Sequence, residues 1–131
     1  MPMVAQTFKV SSKREDRAIA GLSMGGGHSI NLALARPDLF RYVALMSPAA
    51  TGTVDTIYPK FFEDPAASNK HFKLFWVGVG KDDMLTGPGD KAFHDTLARR
   101  GIEHTWRLTD GRHECTVWRN HLRELAPLLF R

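Results

Sequence analysis

Cys115 is the only cysteine among 131 residues, so no internal disulfide can form and the fold must rest on packing and hydrogen bonding. No apolar run approaches the ~20 residues a helix needs to cross a bilayer, so no membrane partner is expected. No segment before residue 17 has the order of a signal peptide; a cytoplasmic protein is the default expectation, with secretion or a periplasmic location open if a native leader is missing. Basic charge is not concentrated either. The net charge is +4, and the one cluster, Lys13-Arg14 with Arg17, is interrupted by Glu15 and Asp16. That reads as a solvated face, and no nucleic-acid partner is expected. No histidine pair has the spacing and acidic neighbours of a zinc site, so neither metal nor cofactor is expected. Repeats, low-complexity stretches and composition shifts are absent, and one domain over residues 1–131 is the natural count.

What is present is ordinary globular composition, 43% hydrophobic and 24% charged. A chain of this length buries roughly two-thirds of the surface its unfolded form exposes. Met1, Val4 and Phe8 recur at helical spacing and predict a short amphipathic helix. Strands are predicted at Arg17–Ala20, Tyr42–Met46, Phe72–Val79 and His104–Leu108. Helices are predicted over Gly27–Arg36, stopping near Pro37, over Pro88–Arg100, with Gly101 as the stop, and over Thr116–Phe130. Residues 49–70 contain Pro59, Pro65 and the pair Phe61-Phe62, and stay unassigned. Strands alternating with helices predict an α/β fold, a mainly parallel sheet of about four strands flanked by helices.

Gly21-Leu22-Ser23-Met24-Gly25-Gly26 lies between the first strand and the following helix. A serine on a sharp strand-to-helix turn, with glycines two before and two after it, is the pattern of a nucleophile elbow. Serine is a poor nucleophile until a histidine takes its proton and a carboxylate orients that histidine. The loops after the third and fourth strands supply both types in the required order: Gly80-Lys81-Asp82-Asp83-Met84, then Asp110-Gly111-Arg112-His113. Each lies past the C-terminal end of a strand, where parallel sheets present their sites. Asp82 and Asp83 also suit turn and helix-capping roles, and His113 could cap the last helix or lie exposed, though its place after a glycine turn in the last loop favours the catalytic reading. His28 reads as a packing or pocket-wall residue, and His71, His94, His104 and His121 as surface or strand residues. Trp76, Trp106 and Trp118 read as core, and Cys115 as a buried structural thiol.

At these residues the chain resembles the esterase family of α/β-hydrolases that includes feruloyl and acetyl-xylan esterases, S-formylglutathione hydrolases, enterochelin-type esterases and mycolyltransferases. The resemblance is carried by Arg17 to Gly27, by Ala35-Arg36-Pro37-Asp38-Leu39-Phe40, by Gly80-Lys81-Asp82-Asp83, and by Gly111-Arg112-His113 with Val117-Trp118-Arg119. It implies Ser23 as nucleophile, His113 as base and, through the family spacing Gly-x-x-Asp, Asp83 rather than Asp82 as acid. The Met24 N–H is implied as an oxyanion donor. The carbohydrate-ester branch is most similar. His28, Arg112 and Cys115 depart from the family pattern, which bears on substrate rather than on the three site residues.

A domain of that family is about twice as long, so the chain is expected to correspond to its C-terminal half, a truncated α/β-hydrolase fold. Strands before the elbow, and a loop there that donates a second oxyanion N–H, would be missing. The elbow strand would then be an open sheet edge, and a homodimer or homo-oligomer covering it is expected. Two functions compete. One is a serine carboxylic-ester hydrolase acting on short acyl esters, carbohydrate-linked acetyl or feruloyl esters among them. The other is a catalytically silent fragment serving as an assembly or binding module.

Overall fold

The computed structural model describes residues 2–131, so the helical expectation at Met1 lies outside the described residues. After α1 (Pro2–Thr7), β1 (Ala18–Leu22) leads directly into α2 (Met24–Ala35). β2 (Tyr42–Met46) is followed by three short helices, α3 (Val54–Ile57), α4 (Pro59–Glu63) and α5 (Pro65–Asn69). β3 (Leu74–Gly80), α6 (Gly87–Arg99), β4 (Thr105–Thr109) and α7 (Cys115–Leu125) complete the order.

The four strands form one parallel sheet in the order β1-β2-β3-β4. Because the order advances in one direction, crossovers of one hand leave their helices on one face. That is where α2, the α3–α5 stretch and α6 pack: Ile30, Leu34, Val54, Phe61, Phe62, Phe93 and Leu97 meet Val43, Leu45, Phe75 and Val77. The alternate residues of the same strands, Ala44, Met46 and Trp76, point to the other face. There Leu125 of α7 and the partly buried Trp118 cover them. All five residues of β2 are buried, as expected for a strand covered on both faces. On its outer side β1 has no strand partner among the described residues.

Several boundaries differ from expectation. α2 starts at Met24 rather than Gly27, because the chain turns into the helix immediately after Ser23. α7 ends at Leu125 and gives way to a 3₁₀ turn at Ala126–Leu128, since Pro127 has no N–H with which to continue the ladder. α1 forms, but its apolar face is not buried: Met3, Val4 and Phe8 are exposed. In the unassigned stretch, Pro59 and Pro65 each open a helix at the first position, where a missing N–H costs nothing.

Candidate active site

Ser23 sits between β1 and α2 at φ 51°, ψ −127°, a conformation that non-glycine residues rarely hold. Its N–H donates to Met46 O at 2.9 Å, which ties the turn to the end of β2. A Cβ at position 21 would stand 2.2 Å from Gly25 O, so only glycine lets the first turn of α2 fold back on the strand. Gly25 itself has open space where its Cβ would be. The crowding expected from two glycines therefore falls on Gly21 alone of that pair.

The three predicted side chains meet at the C-terminal ends of the strands. His113 Nε2 lies 2.9 Å from Ser23 Oγ, and His113 Nδ1 lies 2.7 Å from Asp83 Oδ2. An ionised carboxylate only accepts, so Nδ1 carries the proton and Nε2 is left to accept from the serine hydroxyl. Asp83 has no exposed side-chain surface, while His113 is 16% exposed on the side open to solvent. Leu85 N–H and Thr86 N–H donate to Asp83 Oδ1 at 3.1 and 3.0 Å, and the Thr86 hydroxyl donates to Oδ2 at 3.0 Å. Burial works against the charge on Asp83, but the bonds from Thr86 and His113, together with the nearby Ser47 hydroxyl, outweigh it and hold the carboxyl at about 2. The acid is thus ionised wherever the histidine is to be oriented. Trp118 packs edge-on to His113, with ring centroids 4.9 Å apart.

The Met24 N–H, at the first position of α2, donates to no acceptor among the described residues. A free donor beside a serine hydroxyl is suited to a developing oxyanion. Next to it opens a cavity of about 280 Å³, lined by Met24, His28, Ala49, Thr51, Ile57 and Tyr58 among others. His28 is therefore the pocket-wall residue it was expected to be. His113 also borders an open, polar surface, shared with Lys81, Asp82, Met84 and Arg112. Asp82 is exposed there and Asp83 is the residue that bonds His113, in keeping with the family spacing.

Two expectations are corrected. Cys115 is exposed, because α7 begins with it. His121 is fully buried rather than a surface residue: Val117, His121 and Leu125 form one buried stripe of α7, and Thr109 Oγ1 lies 2.8 Å from His121 Nε2. The four-residue spacing to two apolar neighbours was a usable signal. Asp90, also fully buried, carried no such sign. Trp76 is core, while Trp106 and Trp118 are only partly buried, packed at the edges of the two clusters. Among the described residues no group of three or more His, Cys, Asp or Glu is arranged to hold a metal ion.

Known proteins share this arrangement of elements. An endo-1,4-beta-xylanase/feruloyl esterase of Xylanibacter ruminicola is 30% identical over 132 residues, a match that takes in 100% of this chain and 16% of that protein. The structure of a ferulic acid esterase superimposes with a TM-score of 0.80 at 25% identity, over 97% of this chain and 56% of the other. A fluorophosphonate-binding serine hydrolase of Staphylococcus aureus gives 0.82 at 22% identity, over 99% and 60%, a likeness of fold alone. The chain thus spans little more than half of these solved structures and a small part of the xylanase/feruloyl esterase. The parallel sheet and its flanking helices are those of an α/β-hydrolase, and residues 1–129 match the model of the Putative esterase family, to which this chain belongs.

Proposed function

We propose that the chain carries the nucleophile, base and acid of a serine carboxylic-ester hydrolase. The observation that supports this is the unbroken chain of hydrogen bonds from Asp83 through His113 to Ser23, at 2.7 and 2.9 Å. Ser23 Oγ attacks the ester carbonyl carbon while its proton passes to His113 Nε2. Asp83 stabilises the imidazolium so formed, and the Met24 N–H donates to the oxyanion. The C–O bond to the alcohol then breaks, and the alcohol leaves with the proton held on Nε2. Water attacks the acyl-enzyme along the same path, giving the acid and free Ser23.

Polarity divides the substrate. The apolar cavity beside Met24 receives the acyl group, and its volume, about 280 Å³, falls at the lower end of small-molecule sites and suits a compact one. The departing alcohol must lie by His113 Nε2, on the open polar side with Lys81 and Arg112. A hydrated, carbohydrate-like alcohol fits that side. The names of the xylanase/feruloyl esterase and the ferulic acid esterase favour feruloyl esters of carbohydrate, and the small cavity keeps carbohydrate-linked acetyl esters beside them.

We also propose that in the active species the outer edge of β1 is paired, with a second copy of this chain as the partner; a strictly monomeric active species by light scattering at micromolar concentration overturns this. For the reaction, hydrolysis of p-nitrophenyl acetate beside a Ser23→Ala variant is the test. Turnover that disappears with Ser23→Ala supports the assignment. Equal background rates in both, with no labelling of Ser23 by a fluorophosphonate, leave an assembly or binding module as the function.

A further inference from the structure

Two carboxylates are buried among the described residues, Asp83 and Asp90, and the chemistry above uses only the first. Asp90 lies in the first turn of α6 with no exposed surface. Its Oδ1 accepts the N–H of Ala50 at 2.8 Å, from the loop that follows β2, while Oδ2 has no partner among the described residues. Burial pushes this acid up to about 6, against the pull of the Ala50 N–H and the Thr86 side chain, with Asp83 adding repulsion and His113 attraction. A charge kept in such a place needs a reason.

The loop Asp90 holds is strained. Ser47 and Ala49 both lie at positive φ, 43° and 53°, conformations that persist only when the surroundings impose them. On one side the loop bears on the turn at Ser23: a Cβ on Gly26 would stand 2.5 Å from Pro48 Cα. Ser47, fully buried, is anchored by its N–H to Gly78 O at 2.8 Å and stands beside Asp83. On the other side the loop is fastened to α6, by Asp90 and by the Thr96 hydroxyl, which donates to Gly52 O at 2.8 Å. The residue that caps the same helix, Thr86, holds Asp83. One helix therefore grips the acid of the site at its cap and, a turn later, the loop that backs the serine and walls the cavity.

We propose that Asp90 is a positioning residue: by accepting the Ala50 N–H it locks the strained Ser47–Ala50 loop against the Ser23 turn, and so keeps the serine aligned with His113. The proposal rests on the ester-hydrolase reading. Without the bond, Ser47 and Ala49 relax from positive φ, Pro48 withdraws from the first turn of α2, and the 2.9 Å contact from His113 to Ser23 lengthens. What acts is the bond and not the charge, so an amide at position 90 serves as well.

The test compares wild type, Asp90→Asn, Asp90→Ala and Ser23→Ala, each checked for folding by circular dichroism, using p-nitrophenyl acetate kinetics and hydrogen exchange of residues 47–52. Asp90→Asn is expected to keep kcat within roughly threefold and Asp90→Ala to lose about a hundredfold, the scale of a misplacement of about 1 Å. The Ala50 amide should stay protected in Asp90→Asn and lose protection in Asp90→Ala. Unchanged kcat in Asp90→Ala overturns the proposal. So does an equal loss in both variants, which would assign the effect to charge. If Asp90→Ala does not fold, the Ala50 amide in Asp90→Asn decides: protection supports the anchor and exposure overturns it. If wild type is as inactive as Ser23→Ala, the hydrolase reading fails, and the exchange comparison still decides whether Asp90 holds the loop.

Discussion

Replacing Asp83 by Asn keeps the shape of the side chain and removes what orients His113. Two backbone N–H groups, of Leu85 and Thr86, point at Oδ1, so the amide oxygen must take that position. The amide nitrogen then faces His113 Nδ1, where Asp83 Oδ2 stood at 2.7 Å. It can only donate, which forces the imidazole proton onto Nε2 and leaves nothing to accept the proton of Ser23. A wrong tautomer of this kind costs about 10⁴ in kcat in a serine protease, and a loss of roughly 10³–10⁴ is expected here. Stability changes as well. Asp83 ionises at about 2 in the folded chain, below the 3.8 of a free aspartate. At about 1.4 kcal/mol per unit this gives roughly 2 kcal/mol, reduced to about 1–2 kcal/mol by solvent at the open side of the site. Because the folded value is the lower one, this stability is present above the unfolded value and is lost as pH falls from about 4 toward 2. At pH 7 the Asn variant should melt several degrees below wild type, roughly 3–10 °C. Near pH 2 the two should converge. Kinetics with p-nitrophenyl acetate and melting curves at both pH values check this. An Asp83→Asn enzyme with a tenth or more of wild-type kcat would refute the reasoning.

Further outcomes follow from the same contacts. Gly21→Ala places a methyl 2.2 Å from Gly25 O, a clash with backbone that cannot be relieved by a rotamer; a loss of about 1–3 kcal/mol in urea denaturation and of most activity is expected. Asp90 has its folded value raised to about 6, so the stability it contributes is present below 3.8 and lost as pH rises through 6. Asp90→Asn should therefore melt above wild type at pH 8 and lose that advantage by pH 4. His71, His94 and His121 are all held below the ordinary histidine value, each mainly by desolvation. Their contribution is present above 6.5 and lost as pH falls below it, so melting in the Asp90→Asn background, free of the opposing effect, should drop between pH 7 and pH 5; a flat profile would count against it.

The sequence was most legible where local signals and burial coincide. Tyr42–Met46 is an unbroken apolar run, and it is the strand buried on both faces. Ser23, Asp83 and His113 were legible because each follows a strand and the chemistry demands their types in that order. Residues 49–70 were not, because α3, α4 and α5 hold four or five residues each, too few to display a helical period. They are fixed instead by tertiary contacts, as the burial of Phe61 and Phe62 in one cluster with residues of the sheet and of α6 shows. Cys115 was misread because its exposure depends on where α7 begins, a matter of one residue. Asp90 was illegible for a deeper reason: an acidic residue in the first turn of a helix is ordinary on dipole grounds. Only the arrival of a loop from forty residues earlier buries it.

The alignment of the three side chains follows from sheet register more than from any one loop. Leu22 pairs with Met46, Met46 with Gly78, and Gly80 with Thr109, so β1, β3 and β4 end at nearly one level. Ser23 follows Leu22 directly, and the short turns Lys81–Asp83, after the inner strand β3, and Asp110–His113, after the edge strand β4, bring the other two side chains to it. Short connections on a rigid sheet leave little freedom, which is what precise geometry requires. The level of the Ser23 turn is set from the β2 side, by the bond to Met46 O and by the loop pressed on Gly26. β1, the strand that carries the serine, is an edge strand among the described residues, as β4 is at the other side of the sheet. Whatever pairs the β1 edge therefore acts on the serine more directly than on Asp83 or His113. Its arrival should change the reactivity of Ser23 toward a fluorophosphonate while leaving the ionisation of Asp83 as it is.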